Sequence, residues 1–135
     1  MGLWPALFAV QGPGERTARH QHHGLHLVLA RQGALKVDLA VERSEAESWT
    51  SAAGVLTAPG LHHAIDARGV TTVLLFVDPE SDTGAALQSG LDGGARLIDA
   101  VFRDALLAPL PAAPDGDALT SWMLVALAML AAGAG

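Results

Sequence analysis

The sequence predicts a mainly β domain: a sandwich or barrel of short strands over residues 1–80, then a helical C-terminal segment over residues 81–135. Three observations lead to this fold class. Up to about residue 78, short apolar or alternating runs are separated by turn-forming clusters, a pattern typical of β-sandwiches and barrels. After Ser81 the composition shifts to helix-forming residues. A length of 135 residues suits one structural unit.

The predicted strands are the apolar or alternating runs of the first part of the chain. They cover residues 3–10, 25–30, 34–41, 54–58 and 71–77. Gln32 and Gly33 are predicted to form a hairpin turn between the second and third runs. The run that ends at Val77 is apolar on both faces, which indicates a central strand. Asp78-Pro79 closes it, because proline cannot continue a central ladder.

Two helices are predicted after the strands. Residues 95–107 carry an apolar stripe at helical spacing, with Asp99 and Arg103 as an i,i+4 ion pair on the other face. Pro109 ends this helix, since proline interrupts helical hydrogen bonding. Asp117 is the predicted cap of the last helix, which runs from residue 118 to about 132.

The last predicted helix has almost no polar face. A helix that is apolar all round has to be covered on most sides. This predicts a homodimer formed through the C-terminal helices, while the alternative is that the helix packs wholly within its own monomer. The segment ends at Gly135 directly after this helix, so we expect any DNA-binding part to belong to a longer parent chain.

Composition excludes several functional classes. The net charge is −6, from 8 basic and 14 acidic side chains, so this segment is not expected to bind nucleic acid by itself. The absence of cysteine excludes disulfides, thiolate zinc sites, iron–sulfur clusters and cysteine nucleophiles. The apolar N-terminus lacks a basic segment and a cleavage pattern, and no run is long enough to span a membrane. We therefore expect a cytoplasmic protein.

The histidines form the most informative pattern. His20, His22 and His26 are separated by even numbers of residues on one predicted strand, so they share a face. The neighbouring Leu25, Leu27 and Leu29 point the other way. His63 follows a Pro-Gly turn about forty residues later. This arrangement brings three or four imidazoles to one pocket. Such a cluster suits a divalent transition metal, Zn, Ni, Fe, Cu or Mn. The alternatives are a pocket hydrogen-bonded to ligand or water, and a proton sensor.

Neighbouring residues are assigned by the same alternation. His23 and His62 are predicted to point away from the cluster. Trp49 is the candidate ligand-binding residue, since it can line the mouth of a barrel and stack on a ring, with core packing as the alternative. The chain contains no nucleophile elbow, P-loop or dinucleotide fingerprint. No catalytic residue is predicted.

These motifs resemble those of the cupins. The first cupin motif is matched by the spacing of Gly14, His20, His22, His26 and Gly33, with His26 in the place of the usual glutamate. The stretch APGLHH over residues 58–63 resembles the second motif, whose histidine maps onto His63. The resemblance implies a cupin-like double-stranded β-barrel, or jelly roll, in which these four histidines surround a metal.

Within the cupins, the chain is most similar to the N-terminal sensing domains of AraC-type transcription regulators. The similarity includes the H-x-H strand, Trp49 before the Pro-Gly turn, and Leu75-Phe76-Val77 followed by helices. It implies an effector-binding sensor domain, with or without a metal, that lacks its helix-turn-helix part. The runner-up is a stand-alone metal-dependent cupin enzyme of dioxygenase or isomerase type. A small storage barrel is the third alternative.

Overall fold

A computed structural model describes residues 7–17, 23–39, 49–91 and 94–133. Within these residues the chain forms eight strands and three helices. The strands are β1 Leu7–Pro13, β2 Leu25–Ala30, β3 Leu35–Leu39, β4 Trp49–Ala52, β5 Gly54–Thr57, β6 His63–Asp66, β7 Thr71–Val77 and β8 Ala95–Ile98. The helices are α1 Asp82–Leu91, α2 Ala100–Leu107 and α3 Gly116–Gly133.

The strands form two antiparallel sheets with jelly-roll connectivity. The larger sheet has the order β1-β7-β2-β5-β8 and the smaller one β4-β3-β6. In the sequence, the paired strands β3 and β6 both lie between the paired strands β2 and β7. A bridge between Arg16 and Asp66 connects the segment after β1 to the smaller sheet. This connectivity is that of double-sheet jelly rolls, an architecture that includes the cupins. The predicted mainly β fold class is confirmed.

Strand β2 separates two hydrophobic cores. Its Leu25, Leu27 and Leu29 are buried on the face that packs against the helices. Its Val28 and Ala30 are buried on the opposite face, against residues of the smaller sheet. Each fully buried leucine contributes about 1.5–3 kcal/mol relative to an exposed one. The predicted alternation of β2, and the central position of β7 between β1 and β2, are both confirmed.

The predicted hairpin at Gln32 and Gly33 is wrong. A turn is present there, and Gly33 has the positive φ of 72° that favours glycine. However, β2 and β3 belong to different sheets and do not pair with each other. The turn therefore carries the chain across the jelly roll. A two-residue turn signal indicates the bend but not the partner of the strand that follows.

The predicted helix over residues 95–107 is divided. Ala95–Ile98 is strand β8, which pairs with β5 at the edge of the larger sheet. Asp99 then caps α2, with its carboxylate accepting a hydrogen bond from the Phe102 amide at 2.8 Å. The four residues at the start of this run are too few to distinguish a helix from a strand by sequence pattern alone. Their pairing with β5 makes them a strand.

The predicted Asp99–Arg103 pair is also wrong, because Asp99 is the helix cap and Arg103 is buried. The Arg103 guanidinium donates hydrogen bonds to the carbonyls of Ala30 and Gly33, both at 2.9 Å. Its Nε donates to Asp104 at 2.6 Å. Arg103 thus joins α2 to the turn that follows β2.

Helix α3 was predicted as the second helix of the chain with Asp117 as its cap, and both of these details differ in the structure. The cap is Asp115, whose carboxylate accepts a hydrogen bond from the Ala118 amide at 2.8 Å, and not Asp117. Because α1 precedes α2, the described residues contain three helices instead of the predicted two. Trp122 of α3 is buried and donates to the Leu106 carbonyl at 2.7 Å. None of the described helices is long and apolar enough to cross a membrane.

Candidate functional site

His26 and His63 face each other between the two sheets. His26 lies on β2 of the larger sheet and His63 begins β6 of the smaller sheet, and both side chains are buried. Their ring centroids are 6.2 Å apart. Sequence analysis predicted that these two histidines converge although they are distant in the chain. The jelly-roll connectivity brings them together by placing β2 and β6 in opposing sheets.

The orientation of each ring is fixed by a different contact. The Nδ1 atom of His63 lies 2.8 Å from the Leu61 carbonyl, which can only accept, so this nitrogen carries a proton. In the neutral ring the lone pair is then on Nε2, the usual arrangement in a metal-binding histidine. The His26 ring stacks on Phe76 with 4.3 Å between centroids and 13° between planes.

An aromatic row continues from this stack towards solvent. Phe8, Phe76 and His26 are in register on β1, β7 and β2. The Phe8 and Phe76 rings are 6.2 Å apart, and Phe8 is half exposed. The row gives the site an apolar edge that extends from a buried imidazole to the surface.

A cavity of about 170 Å³ adjoins His26 between the sheets. We refer to it as the inter-sheet cavity. It is lined by Pro13, Gly14, Glu15, Thr17, His26, Val28, Ile65, Ala67, Thr72 and Leu74. A cavity of about 150 Å³ is large enough for benzene, so this one can hold a molecule of the size of a single ring.

Two threonine hydroxyls that line the inter-sheet cavity form hydrogen bonds to the backbone. The Thr17 hydroxyl accepts from the Ile65 amide at 3.0 Å, and the Thr72 hydroxyl donates to the Gly12 carbonyl at 3.3 Å. Both hydroxyls therefore hold the backbone. Glu15, an exposed residue, also lines the cavity. Sequence analysis missed it, because its position beside the cavity depends on how the residues after β1 cross to the smaller sheet.

The remaining predicted site residues are placed as follows. His20 and His22 lie outside the described residues, so their role as ligands stays a prediction. His23 and His62 are exposed and lie just outside β2 and β6, so their predicted alternation stays a prediction. No group of three or more metal-binding side chains occurs within the parts of the chain that the structure describes. The described site thus consists of the His26–His63 pair.

Trp49 does not reach the inter-sheet cavity. It is in register with Asp38 of β3, on the face of the smaller sheet that points away from the core. The Arg16 guanidinium lies 5.3 Å from the centre of its ring, a cation–π arrangement. The ligand-binding role of Trp49 stays a prediction.

The same outer face carries the carboxyl with the clearest pKa shift. Asp66 accepts two side-chain hydrogen bonds from Arg68, at 2.9 and 2.8 Å. The Arg68 guanidinium lowers the pKa of Asp66 to about 2. Asp66 is thus ionised at neutral pH and serves to hold the turn after β6, on the side opposite the inter-sheet cavity.

No protein-family model matches the chain, and no match was found among curated proteins. Among solved structures, 58% of the chain superposes on 69% of the conserved SPY1581 protein of unknown function from Streptococcus pyogenes, with 19% identity and a TM-score of 0.44. Protein NMB1881 from Neisseria meningitidis gives 16% identity and a TM-score of 0.39, over 53% of this chain and 72% of that one.

A further similar structure is that of Bacillus subtilis oxalate decarboxylase, a protein with Mn(II) centres. It is 21% identical, with a TM-score of 0.42, and the match covers 57% of this chain but 22% of the decarboxylase. These similarities concern part of the fold and identify neither a ligand nor a reaction for this chain.

Proposed function

We propose that this chain is a cupin-type sensor domain of an AraC-type transcription regulator, which binds a small effector in the inter-sheet cavity. The observation that carries the proposal is the pair of buried histidines, His26 and His63, facing each other beside a cavity of ring-molecule size. The AraC-type assignment itself derives from the sequence resemblance. DNA binding would belong to a further domain of the regulator, and such a regulator acts in the cytoplasm.

The two histidines fit a transition metal. Metal–nitrogen bonds are about 2.0–2.1 Å long, so one ion between the rings is compatible with their 6.2 Å separation after a small adjustment. The Leu61 carbonyl supplies the outer hydrogen bond that usually orients a ligand histidine. His20 and His22 are the proposed additional ligands. A bound metal would supply a positive charge and open coordination positions for a donor atom of the effector.

Strand β2 is suited to report occupancy of this site to the helices. His26 faces the inter-sheet cavity, whereas Leu25 and Leu27 of the same strand pack in the core beneath the helices. At the end of the strand and in the turn after it, Arg103 of α2 donates hydrogen bonds to the Ala30 and Gly33 carbonyls. A displacement of β2 is therefore transmitted through direct contacts to α2, as a two-state sensor requires.

Hydrogen exchange tests this coupling with the metal alone as the probe. Adding Zn²⁺ to metal-free protein is expected to slow amide exchange in β2 and β6, and also in α2 and α3, by about fivefold or more, since coupling free energies are typically 1–3 kcal/mol. Protection restricted to β2 and β6 would contradict a sensor and favour storage. No protection in any element would contradict the metal site.

A metal-dependent cupin enzyme is the second candidate, and one observation favours it. Glu15 lines the same cavity as His26, and its carboxylate is the proposed general base. The two functions differ in the fate of the bound molecule. An effector is recovered unchanged after prolonged incubation with the protein, whereas a substrate is converted and conversion fails in a Glu15→Gln variant.

We also propose that the domain forms a homodimer through α3. The buried face of this helix includes Trp122 and Leu127, while Leu124 and Val125 are 65% and 45% exposed. Their neighbours at helical spacing, Ser121 and Ala128, are exposed as well. This leaves a small, mostly apolar stripe that fits a second copy of the same helix.

Charge introduced into the stripe is expected to separate the dimer. Leu124→Lys should raise the dimer dissociation constant by roughly a hundredfold or more, because it places an uncompensated charge in an apolar interface. The control is Thr83→Lys, which adds the same charge at an exposed position of α1. Sedimentation equilibrium measures the constants. A wild-type monomer at high micromolar concentration would contradict the dimer.

A further inference from the structure

A second cavity lies on the other side of the larger sheet, between that sheet and the helices. Its volume is about 300 Å³, at the lower end of the range for ligand pockets. We refer to it as the helix-side cavity. It shares no lining residue with the inter-sheet cavity.

Three leucines contribute apolar surface to the helix-side cavity. Leu56 of β5 forms the floor, with Leu87 of α1 and Leu130 of α3 as walls. All three leucines belong to the hydrophobic core beneath the helices. A molecule in this cavity would therefore contact the sheet, α1 and α3 together.

One cationic side chain, that of Arg96, also lines the helix-side cavity. Arg96 of β8 is in register with Leu56, on the same side of the sheet, and lines the cavity. Its guanidinium lies 4.9 Å from the centre of the Phe102 ring, which fixes its position by a cation–π contact. No carboxylate among the described residues forms a salt bridge with Arg96.

We propose that the helix-side cavity is a second ligand site, for a small amphipathic anion such as an aliphatic or aromatic monocarboxylate. The carboxylate pairs with Arg96, whose planar fork matches two carboxylate oxygens, and the hydrocarbon part lies on the three leucines. The C-terminal end of α1, at Leu91, carries an opposing partial charge of about half an electron. The full charge of the nearby guanidinium outweighs it.

An NMR titration with octanoate tests this site. We expect saturable shifts of the Leu91, Arg96 and Leu130 amides, without shifts at Val28 and Ile65 in the inter-sheet cavity. Octanol and octylammonium, which have the same chain length without the negative charge, should bind at least about tenfold more weakly, a factor that one well-placed ionic hydrogen bond supplies.

Variants of Arg96 provide the matched comparison. Arg96→Gln should weaken octanoate binding by about tenfold or more, while Arg96→Lys, which keeps the charge, should weaken it less. Equal binding of octanoate and octanol, or an unchanged affinity in Arg96→Gln, would overturn the proposal. So would the absence of saturable shifts with both octanoate and benzoate. The comparison among probes uses the wild-type protein, so it decides the matter even if Arg96→Gln does not fold.

Discussion

Replacing His63 by alanine is expected to remove the bound transition metal. We expect the wild-type protein, loaded with Zn²⁺ or Ni²⁺ and desalted, to retain about one metal per chain. His63 is fully buried, and its Nδ1 is held by the Leu61 carbonyl, so Nε2 is oriented before the metal arrives. Loss of even an outer hydrogen-bonding partner costs 10–100-fold in metal affinity. Loss of the ligand itself should therefore weaken binding by more than about a hundredfold.

The adjacent histidine provides the control for this prediction. His62 is exposed and is not among the residues that line the inter-sheet cavity, so His62→Ala should retain the metal. Elemental analysis after desalting gives the stoichiometry, and the visible spectrum of the Co²⁺-loaded protein reports the ligand set. Stoichiometric metal in His63→Ala, or equal loss in both variants, would contradict ligation by His63. If the wild-type protein stays metal-free under all loading conditions, the metal site is contradicted and the effector cavity remains as the proposed site.

The apolar strands bounded by turn residues could be predicted from the sequence. The predicted runs over residues 25–30 and 71–77 coincide with β2 and β7, because each is apolar and bounded by turn residues. The faces of β2 also follow from the period of two alone. Sequence analysis therefore placed His26 on the inner face correctly, together with the buried leucines on the other.

The elements that depend on distant partners could not be predicted in this way. Residues 95–98 have the composition of a helix start but form β8, because the free edge of β5 pairs with them. Arg103 shows the same limit. Helical spacing suggested an exposed ion pair, whereas the position of the turn at Gly33 gives its guanidinium buried carbonyl partners. Local patterns carry no information about which sheet a strand joins.

The candidate site likewise contains residues that could be predicted from the sequence and residues that could not. The convergence of His26 and His63 was predicted from motif spacing, and their positions in opposing sheets agree with it. The positions of Glu15 at the inter-sheet cavity and of Arg96 at the helix-side cavity arise from sheet register and helix packing. Such side chains carry no distinctive spacing in the sequence, so a structure is needed to find them.

Replacing Arg103 by alanine should lower the free energy of unfolding by about 2–4 kcal/mol. Arg103 is buried and donates to two backbone carbonyls, those of Ala30 and Gly33, at the turn that leads from one sheet to the other. Alanine would leave these carbonyls without their charged donor and would open space between α2 and the sheet. Urea unfolding should show a lower midpoint with an unchanged slope, since the same surface is exposed on unfolding.

Two further variants separate the possible origins of this effect. Arg103→Met keeps the aliphatic volume but not the donors, so a loss close to that of alanine would assign the stability to the hydrogen bonds. Asp104→Asn removes the ionic partner, whose side chain is 72% exposed, and should cost less than about 1 kcal/mol. A large loss in Asp104→Asn, with a small one in Arg103→Met, would instead assign the stability to the ion pair. Because the carbonyl bonds join α2 to the end of β2, the first result would also identify the contact through which the sensor is proposed to act.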